Sequence, residues 1–414
     1  MSPLKPFQFA QLPAFHYGAA CRHQLCQHLA SQGHQRVLII SSASLTQPGG
    51  WAQDLVAQLT AHQIKATLIP VSGEPSPDQV DQMVAQHQAN DHQAVVGIGG
   101  GSALDSAKAV AGLIPSGRSV MDFLEGVGQG KPFDEPTLPW VAVPTTAGTG
   151  SETTKNAVLA RQGAFKKSFR SERLLAQSVW LDPELLQTCP DSVLYATAMD
   201  ALTQLIESYV TPKATPMTDA LAWQGLSLCR EAFAALPTTD NDTTTNRPSL
   251  AVLERWLLAA SLSGVTLANA GLGAVHGLAG PIGAFFPAPH GAVCARLLAP
   301  ITAENIHALE QGQTEGTLNP AQGQSLEKYT QIAQAWQGNI DPTSTLSDPA
   351  QVRAQWVSQL HHLTARWVPQ GLSHHGLSED NLSPVLKNCR SGSMLGNPLE
   401  LSDAALMRAM TQAL

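Results

Sequence analysis

The first 185 residues alternate short, almost wholly apolar runs with amphipathic stretches. RVLIIS (36–41), ATLIPV (66–71), AVVGI (94–98) and WVAVP (140–144) show little of the polar/apolar alternation of a half-exposed strand, which is the pattern of strands covered on both faces. Between them, residues 51–62, 77–89 and 102–113 carry apolar positions at three- and four-residue spacing and predict helices. Strand–helix alternation of this kind predicts a parallel sheet with helices on both faces. Beyond about residue 186 the strand-like runs stop. DSVLYATAMDALTQLIESYV (191–210), MTDALAWQGLSLCREAFAAL (217–236) and LAVLERWLLAASLSGVTLANA (250–270) are helix-periodic throughout. The expected architecture is an α/β N-terminal domain (1–185) with a parallel dinucleotide-binding sheet, followed by an all-α domain (186–414). Polar stretches at 238–249, 312–325 and 338–349 are expected to be loops.

Composition narrows the class of partner. The chain has 414 residues, of which 14% are charged, and a net charge of −8, the opposite of the clustered basic excess that nucleic acid requires. One local basic group, Lys166, Lys167, Arg170 and Arg173, suits a small anion better than a polymer. The six cysteines show no CxxC or zinc-finger spacing and read as reduced thiols of a cytoplasmic protein. MSPLKPFQFAQLPAF at the N-terminus lacks the apolar run of a signal peptide, and no stretch of about eighteen apolar residues suggests a membrane span.

Two glycine-rich turns carry the first candidate chemistry. AVVGIGGGSALDSAKAV (94–110) sets Gly99, Gly100, Gly101 and Ser102 between a buried strand and a helix, where bare backbone N–H groups and a helix N-terminus suit a phosphate. A tight turn needing positive φ would also explain glycine there, and the spacing is not GxGxxG. A second turn, VAVPTTAGTGSETTKNAV (141–158), again follows a strand and gathers Thr145, Thr146, Thr149 and Ser151. Two such turns at the carboxyl ends of strands in one sheet point to one dinucleotide. The first strand ends in Ser41 and Ser42 with no carboxylate to bind ribose hydroxyls or repel a 2′-phosphate, so the expected cofactor is NAD or NADP. Asp105 and Lys108 lie one turn apart on the helix after the first turn, either touching cofactor or steadying the loop as an exposed ion pair of little energetic weight.

The stretch GLGAVHGLAGPIGAFFPAPHGAV (271–293) holds His276 and His290 and no Asp, Glu, Lys or Arg. Taken alone, such histidines are commonly hydrogen-bonded core residues. They gain partners from a resemblance. GEPSP (73–77), GGGSALDSAK (99–108), PTTAGTGSE (144–152), LDPEL (181–185), MDALTQLIE (199–207), VHGLAGPIG (275–283), PHG (289–291) and SMLGNP (393–398) together resemble the iron-containing (group III) alcohol dehydrogenase family over nearly the whole chain. That resemblance implies a cofactor lying between two domains, a divalent metal held by one Asp and three His, at least a homodimer, and Lys166 (or its neighbour Lys167) near the cofactor. Carried over by position, the ligands are Asp200, His276 and His290. The third His position, four residues after Asp200, is occupied here by Gln204, a neutral and weaker donor for Fe²⁺ or Zn²⁺. Gly280 stands where many relatives carry a further His.

The expected reaction is reversible hydride transfer between nicotinamide and a small alcohol or carbonyl substrate. A metal at Asp200, Gln204, His276 and His290 would polarise the substrate oxygen; without it, His276 or His290 would act as general acid, and Gln204 would hydrogen-bond substrate. Three alternatives stay open: a metal-independent, maleylacetate-reductase-like oxo-acid reductase served by the basic group at 166–173, a lyase of the dehydroquinate-synthase type, and a non-catalytic NAD-binding protein.

Overall fold

The computed structural model describes residues 6–237, 247–337 and 348–414; most of the expected loops at 238–249 and 338–349 lies outside the described residues. The chain forms two compact units. An α/β unit comprises Leu12–Cys189 and Ser249–Gly264, and a helical unit comprises Met1–Gln11, Pro190–Pro248 and Val265–Leu414. A single cut after residue 185 therefore does not separate them, because the long helix Leu250–Ala270 contributes to both.

In the α/β unit, β1 (Ala14–Tyr17), β2 (Arg36–Ser42), β3 (Lys65–Val71), β4 (Ala94–Gly99), β5 (Trp140–Pro144) and, after the antiparallel hairpin β6 (Asn156–Arg161) and β7 (Phe165–Arg170), β8 (Ser178–Leu181) are the strands. Six of them form one sheet in the order β1-β8-β5-β4-β2-β3, and every pairing in it is parallel. The helices are α1 (Leu25–Ser31), α2 (Trp51–Ala61), α3 (Pro77–His87) and α4 (Gly101–Leu113). The apolar runs of the central strands are buried: Val37 to Ile40, Val95, Val96, Ile98, Val141 and Val143 are all 2% exposed or less, as strands covered on both faces require. α3 starts where its sequence says it must: Ser76 accepts from Gln79 N, Gln79 reaches back to Ser76 N, and Pro77 takes the first helical position, a capping box with a helix-compatible φ already set. β1, β8 and the β6–β7 hairpin escape the hydrophobic pattern, being short or half-exposed.

The chain leaves β2 in one direction for β3 and later returns on its other side as β4 and β5. That reversal is the topological switch point of an open parallel sheet, where ligands bind beyond the strands' carboxyl ends. Gly99 and Ser42 end the two strands that flank it.

In the helical unit, α5 (Asp191–Val210), α6 (Pro216–Ala234), the end of α7 (Leu250–Ala270), α8 (Ala274–Phe285), α9 (His290–Glu315), α10 (Pro320–Trp336), α11 (Pro349–Trp367), α12 (Ser383–Asn388) and α13 (Asp403–Ala413) build the fold. One apolar core joins α8, α9, α12 and α13 through Leu278, Ile282, Leu297, Val385, Leu406 and Met410. The loop expected at 312–325 is instead the end of α9, a short turn and the start of α10. Gly316 closes α9 at φ 68°, and Asn319, Pro320 and Gln322 form another capping box, so the polar residues are caps. By length and composition α7 is apolar enough to cross a membrane, yet 61% of its apolar window is buried inside the fold, as in a core helix.

Candidate metal centre and dinucleotide turns

Three helices of the helical unit bring four donors together. Asp200 projects from the middle of α5, His276 from the first turn of α8, and His290 and Cys294, one turn apart, from the start of α9; one donor atom from each lies within 4.8 Å of every other. His276 Nε2 is 3.2 Å from Asp200 Oδ1 and 3.6 Å from Cys294 Sγ. His290 Nε2 is 3.7 Å from Cys294 Sγ and 3.9 Å from Asp200 Oδ1.

Glycines allow the convergence. A Cβ on Gly291 would stand 2.7 Å from Ala196 O of α5, and one on Gly277 would stand 2.9 Å from Met394 Cβ; both approaches need a bare backbone. Gly280, by contrast, has open space around a hypothetical Cβ, so packing does not dictate its size.

A second layer orients the first. Glu207, two turns beyond Asp200 on α5, accepts from Val275 N at 2.7 Å and, through its other oxygen, from His276 Nδ1 at 2.7 Å. With Nδ1 donating to a carboxylate, the ring is turned so that Nε2 points towards Asp200 and Cys294, and a bound ion in place of the Nε2 proton would complete the arrangement typical of a metal-bound His. Asn397, in the SMLGNP stretch, accepts from Ala274 N at 3.1 Å and exchanges hydrogen bonds with Asn305. The first N–H groups of α8 are thus satisfied by side chains, and His276 is fixed with them.

Charge in the cluster is coupled. Burial works against ionisation of Asp200, but the charge of His290 and the hydrogen bond from His276 hold its carboxyl down to about 2. Burial opposes protonation of His276, but the Cys294 sulphur and the hydrogen bonds to Asp200, Cys294 and Glu207 outweigh it and hold the imidazolium well above its ordinary 6.5. Burial pushes the Cys294 thiol up to about 12. Asp200 Oδ2 is buried with no hydrogen-bond partner among the described residues, a costly state unless something occupies it. An orphaned carboxylate oxygen, two imidazoles and a thiol at these separations fit a borderline-soft divalent cation. Gln204, the residue in the missing His position, is buried one turn along α5 from Asp200.

The α/β unit holds the other candidate residues. Gly99 adopts φ 145°, and a Cβ there would stand 2.1 Å from Ser42 Oγ; a Cβ on Gly100 would stand 3.2 Å from Thr146, and one on Gly101 2.7 Å from Thr149. Ser42, Gly99–Gly101, Thr146 and Thr149 therefore meet at the carboxyl ends of β2, β4 and β5, with Thr145 N donating to Gly99 O and Ser102 opening α4 beside them. The cradle fits a pyrophosphate at a helix N-terminus.

Asp105 and Ser151 sit beneath this cradle. Ser151 Oγ donates to Asp105 Oδ1 at 2.5 Å, and Val158 N donates to Asp105 Oδ2. The Asp105–Lys108 pair is not the exposed pair expected: Lys108 is wholly buried and donates to Ser151 O, Asn156 O and Thr154 Oγ1. Burial lowers the Lys108 ammonium to about 8, against the pull of Asp105 and Glu152. Two members of the basic group at 166–173 are already paired with acids. Lys166, 11% exposed in its side chain, pairs with Glu74 at 2.9 Å, and Arg170 lies 3.5 Å from Glu125.

Sequence reasoning missed Cys294, Glu207 and Asn397. The first two carried a signal: Cys294 is four residues after His290 and Glu207 seven after Asp200, spacings that share a helix face. Asn397 carried none beyond its motif.

Residues 13–183 match the family model for iron-containing alcohol dehydrogenase, and residues 194–413 match the C-terminal model of the Fe-containing alcohol dehydrogenase family. The chain is 29% identical over 379 residues to the NAD-dependent methanol dehydrogenase of Bacillus methanolicus, covering 91% of each chain. It is 30% identical over 297 residues to the lactaldehyde reductase of Escherichia coli K12, covering 70% of this chain and 73% of that one. The fold superposes on a crystal structure of 1,3-propanediol oxidoreductase with a TM-score of 0.82 at 24% identity, over 99% of this chain and 100% of the other. This chain therefore belongs to the iron-containing alcohol dehydrogenase family and is an oxidoreductase acting on CH–OH donors.

Proposed function

We propose that the protein transfers hydride reversibly between NAD or NADP and a small alcohol or its aldehyde or ketone, with a divalent metal held in the helical unit. The observation that carries this reading is the convergence of Asp200, His276 and His290 from three helices on one point, with a buried carboxylate oxygen left unpartnered. When bound, the nicotinamide supplies the hydride donor or acceptor and the ion supplies positive charge that polarises the substrate oxygen. Asp200, His276 and His290 hold the ion, and Glu207 fixes the tautomer of His276 and the direction of its Nε2. The glycine turn at 99–101 binds pyrophosphate through backbone N–H groups, Thr146 and Thr149 close it from β5, and Lys108 with Asp105 holds the second turn in place from below. Ser42, in place of an acid at the end of β2, supports use of NADP as well as NAD. The pairing of Lys166 with Glu74 and of Arg170 with Glu125 weakens the case for an oxo-acid reductase served by the basic group at 166–173.

Two further properties follow the same reading. The six cysteines are all free, which suits a reducing cytoplasm. β1 is an edge strand with Phe15 and Tyr17 exposed, a surface suited to a second copy.

The test is oxidation of NADH and NADPH with a panel of aldehydes, ketones and oxo-acids, on protein stripped by chelator and then reloaded with Fe²⁺ or Zn²⁺. Aldehydes or ketones are expected to be reduced, with activity lost on stripping and restored on reloading. Full activity in the stripped protein overturns the metal's part, and turnover of oxo-acids alone overturns the substrate class.

A further inference from the structure

We propose that Cys294 is the fourth protein ligand of the ion, giving a thiolate from α9 where α5 carries Gln204 instead of an imidazole, and that the centre is thereby selective for zinc over iron. The inference rests on the reading that the cluster holds a divalent ion at all.

Geometry supports it first. In a tetrahedral centre with N and O bonds of about 2.0–2.1 Å and an S bond of about 2.3 Å, N···S edges are about 3.6 Å and N···O edges about 3.4 Å. The two N···S separations here are 3.6 and 3.7 Å, and the two N···O separations are 3.2 and 3.9 Å. These four of the six edges lie within about 0.5 Å of the tetrahedral values, and the two remaining pairs are no more than 4.8 Å apart. Cys294 is wholly buried and His276 nearly so, so the sulphur faces the two ring nitrogens and not solvent.

Charge supports it second. Asp200 with two neutral imidazoles and a carboxamide would leave a dication half neutralised at a site where Asp200 is 1% exposed, and buried net charge is expensive. Carboxylate and thiolate together bring the ion and its ligand set to neutrality, with Glu207 as a further carboxylate outside that set on His276. Thiolate is also the donor that discriminates: it favours zinc over the harder Fe²⁺, in the direction the affinity order of divalent metals already runs. A buried free cysteine serving only as a small apolar core residue is the reading to be displaced.

The experiment uses the full chain, stripped of metal and titrated with Co²⁺. A thiolate ligand adds an intense sulphur-to-cobalt charge-transfer band in the near ultraviolet to the weaker visible bands of bound cobalt. The unaltered protein is expected to show both. Cys294→Ser, checked for folding by circular dichroism, is expected to keep visible bands, lose the ultraviolet band and bind Co²⁺ at least ~10-fold more weakly, since loss of even an outer partner costs that much. Gln204→Ala is expected to keep the ultraviolet band. Zinc K-edge absorption on the unaltered, zinc-loaded protein is expected to show one sulphur neighbour, a readout that needs no variant. Cobalt bound without the ultraviolet band, the band surviving in Cys294→Ser or vanishing in Gln204→Ala, or a zinc shell without sulphur, overturns the assignment while leaving the proposed function standing. No cobalt bound at all overturns both. Equal retention of Fe²⁺ and Zn²⁺ in competition overturns the selectivity alone.

Discussion

The two oxygens of Glu207 divide their work: one holds the N-terminus of α8 at Val275 and the other holds His276 Nδ1. Replacing it with Gln keeps the shape but leaves only one good acceptor for two N–H donors. The amide's NH₂ must then face either Val275 N or the imidazole, and the ring is free to turn. Glu207→Gln is expected to lower metal content and kcat/KM together by about 10–100-fold, the range found when an outer partner of a metal-bound His is lost. Metal analysis beside steady-state kinetics measures it; an unchanged metal content would show that the carboxylate does not orient the ligand. At this scale the two imidazoles stood out in a stretch without charge, whereas Asp200 was named through the resemblance of MDALTQLIE to the family. Glu207 and Cys294 did not stand out, because a lone acid or thiol on a helix has many ordinary uses. Only the arrival of other helices at the same point distinguishes them.

Among the elements, α7 shows how closely the second turn is held. Gly150 has φ 60°, and a Cβ there would stand 2.4 Å from Gly264 Cα and 2.9 Å from Ala260 O. Thr153 donates to Gly150 O, and Ser261 Oγ donates to buried Glu152. Two glycine backbones therefore touch where α7 meets the turn at 150–153. Gly150→Ala must hold an L-residue in left-handed geometry, costing about 1–2 kcal/mol, and must push α7 away, costing about 1–3 kcal/mol more. Against a total stability of roughly 5–15 kcal/mol, thermal or urea unfolding should show a loss of several kcal/mol together with weaker dinucleotide binding. A variant that melts with the parent would show that the backbones do not approach this closely. The strand–helix alternation was readable here because burial on both faces imposes a continuous apolar run. The closeness of Gly150 to Gly264 was not, since it joins residues 114 positions apart.

For the molecule as a whole, acid is the stress its histidines predict. His92 is 8% exposed, and neither ring nitrogen has a hydrogen-bond partner among the described residues. Burial, with the neighbouring His87, lowers it below the ordinary 6.5, and burial lowers His16, His28, His34, His87, His361 and His375 in the same direction. Below about 6.5 the unfolded chain takes up protons that the folded chain refuses, so ν(U) exceeds ν(N) and stability rises with pH across that window. Read downwards, stability is lost as pH falls from 6.5 towards the lowered folded values. His276, held protonated, works against the trend in the metal-free protein. Urea unfolding between pH 7 and 5 (about the span over which imidazoles titrate) should show the decline, and His92→Phe should make it shallower. An identical slope in the variant would place the acid sensitivity elsewhere.

Pattern along the chain was enough for the α/β-then-helical order and the two glycine turns, because each is written in local terms, a burial period and a turn's need for bare backbone; Asp200, His276 and His290 were singled out as metal-type donors through the family resemblance. Which groups are consumed internally and which remain to act emerged from the packing of distant segments. Asp105 and Lys108 sink beneath the turn, Lys166 is paired with Glu74, and Cys294 joins Asp200, His276 and His290. Whether a side chain is neutralised, buried or left with an open valence depends on what distant segments bring to it, and no spacing along the chain carries that information.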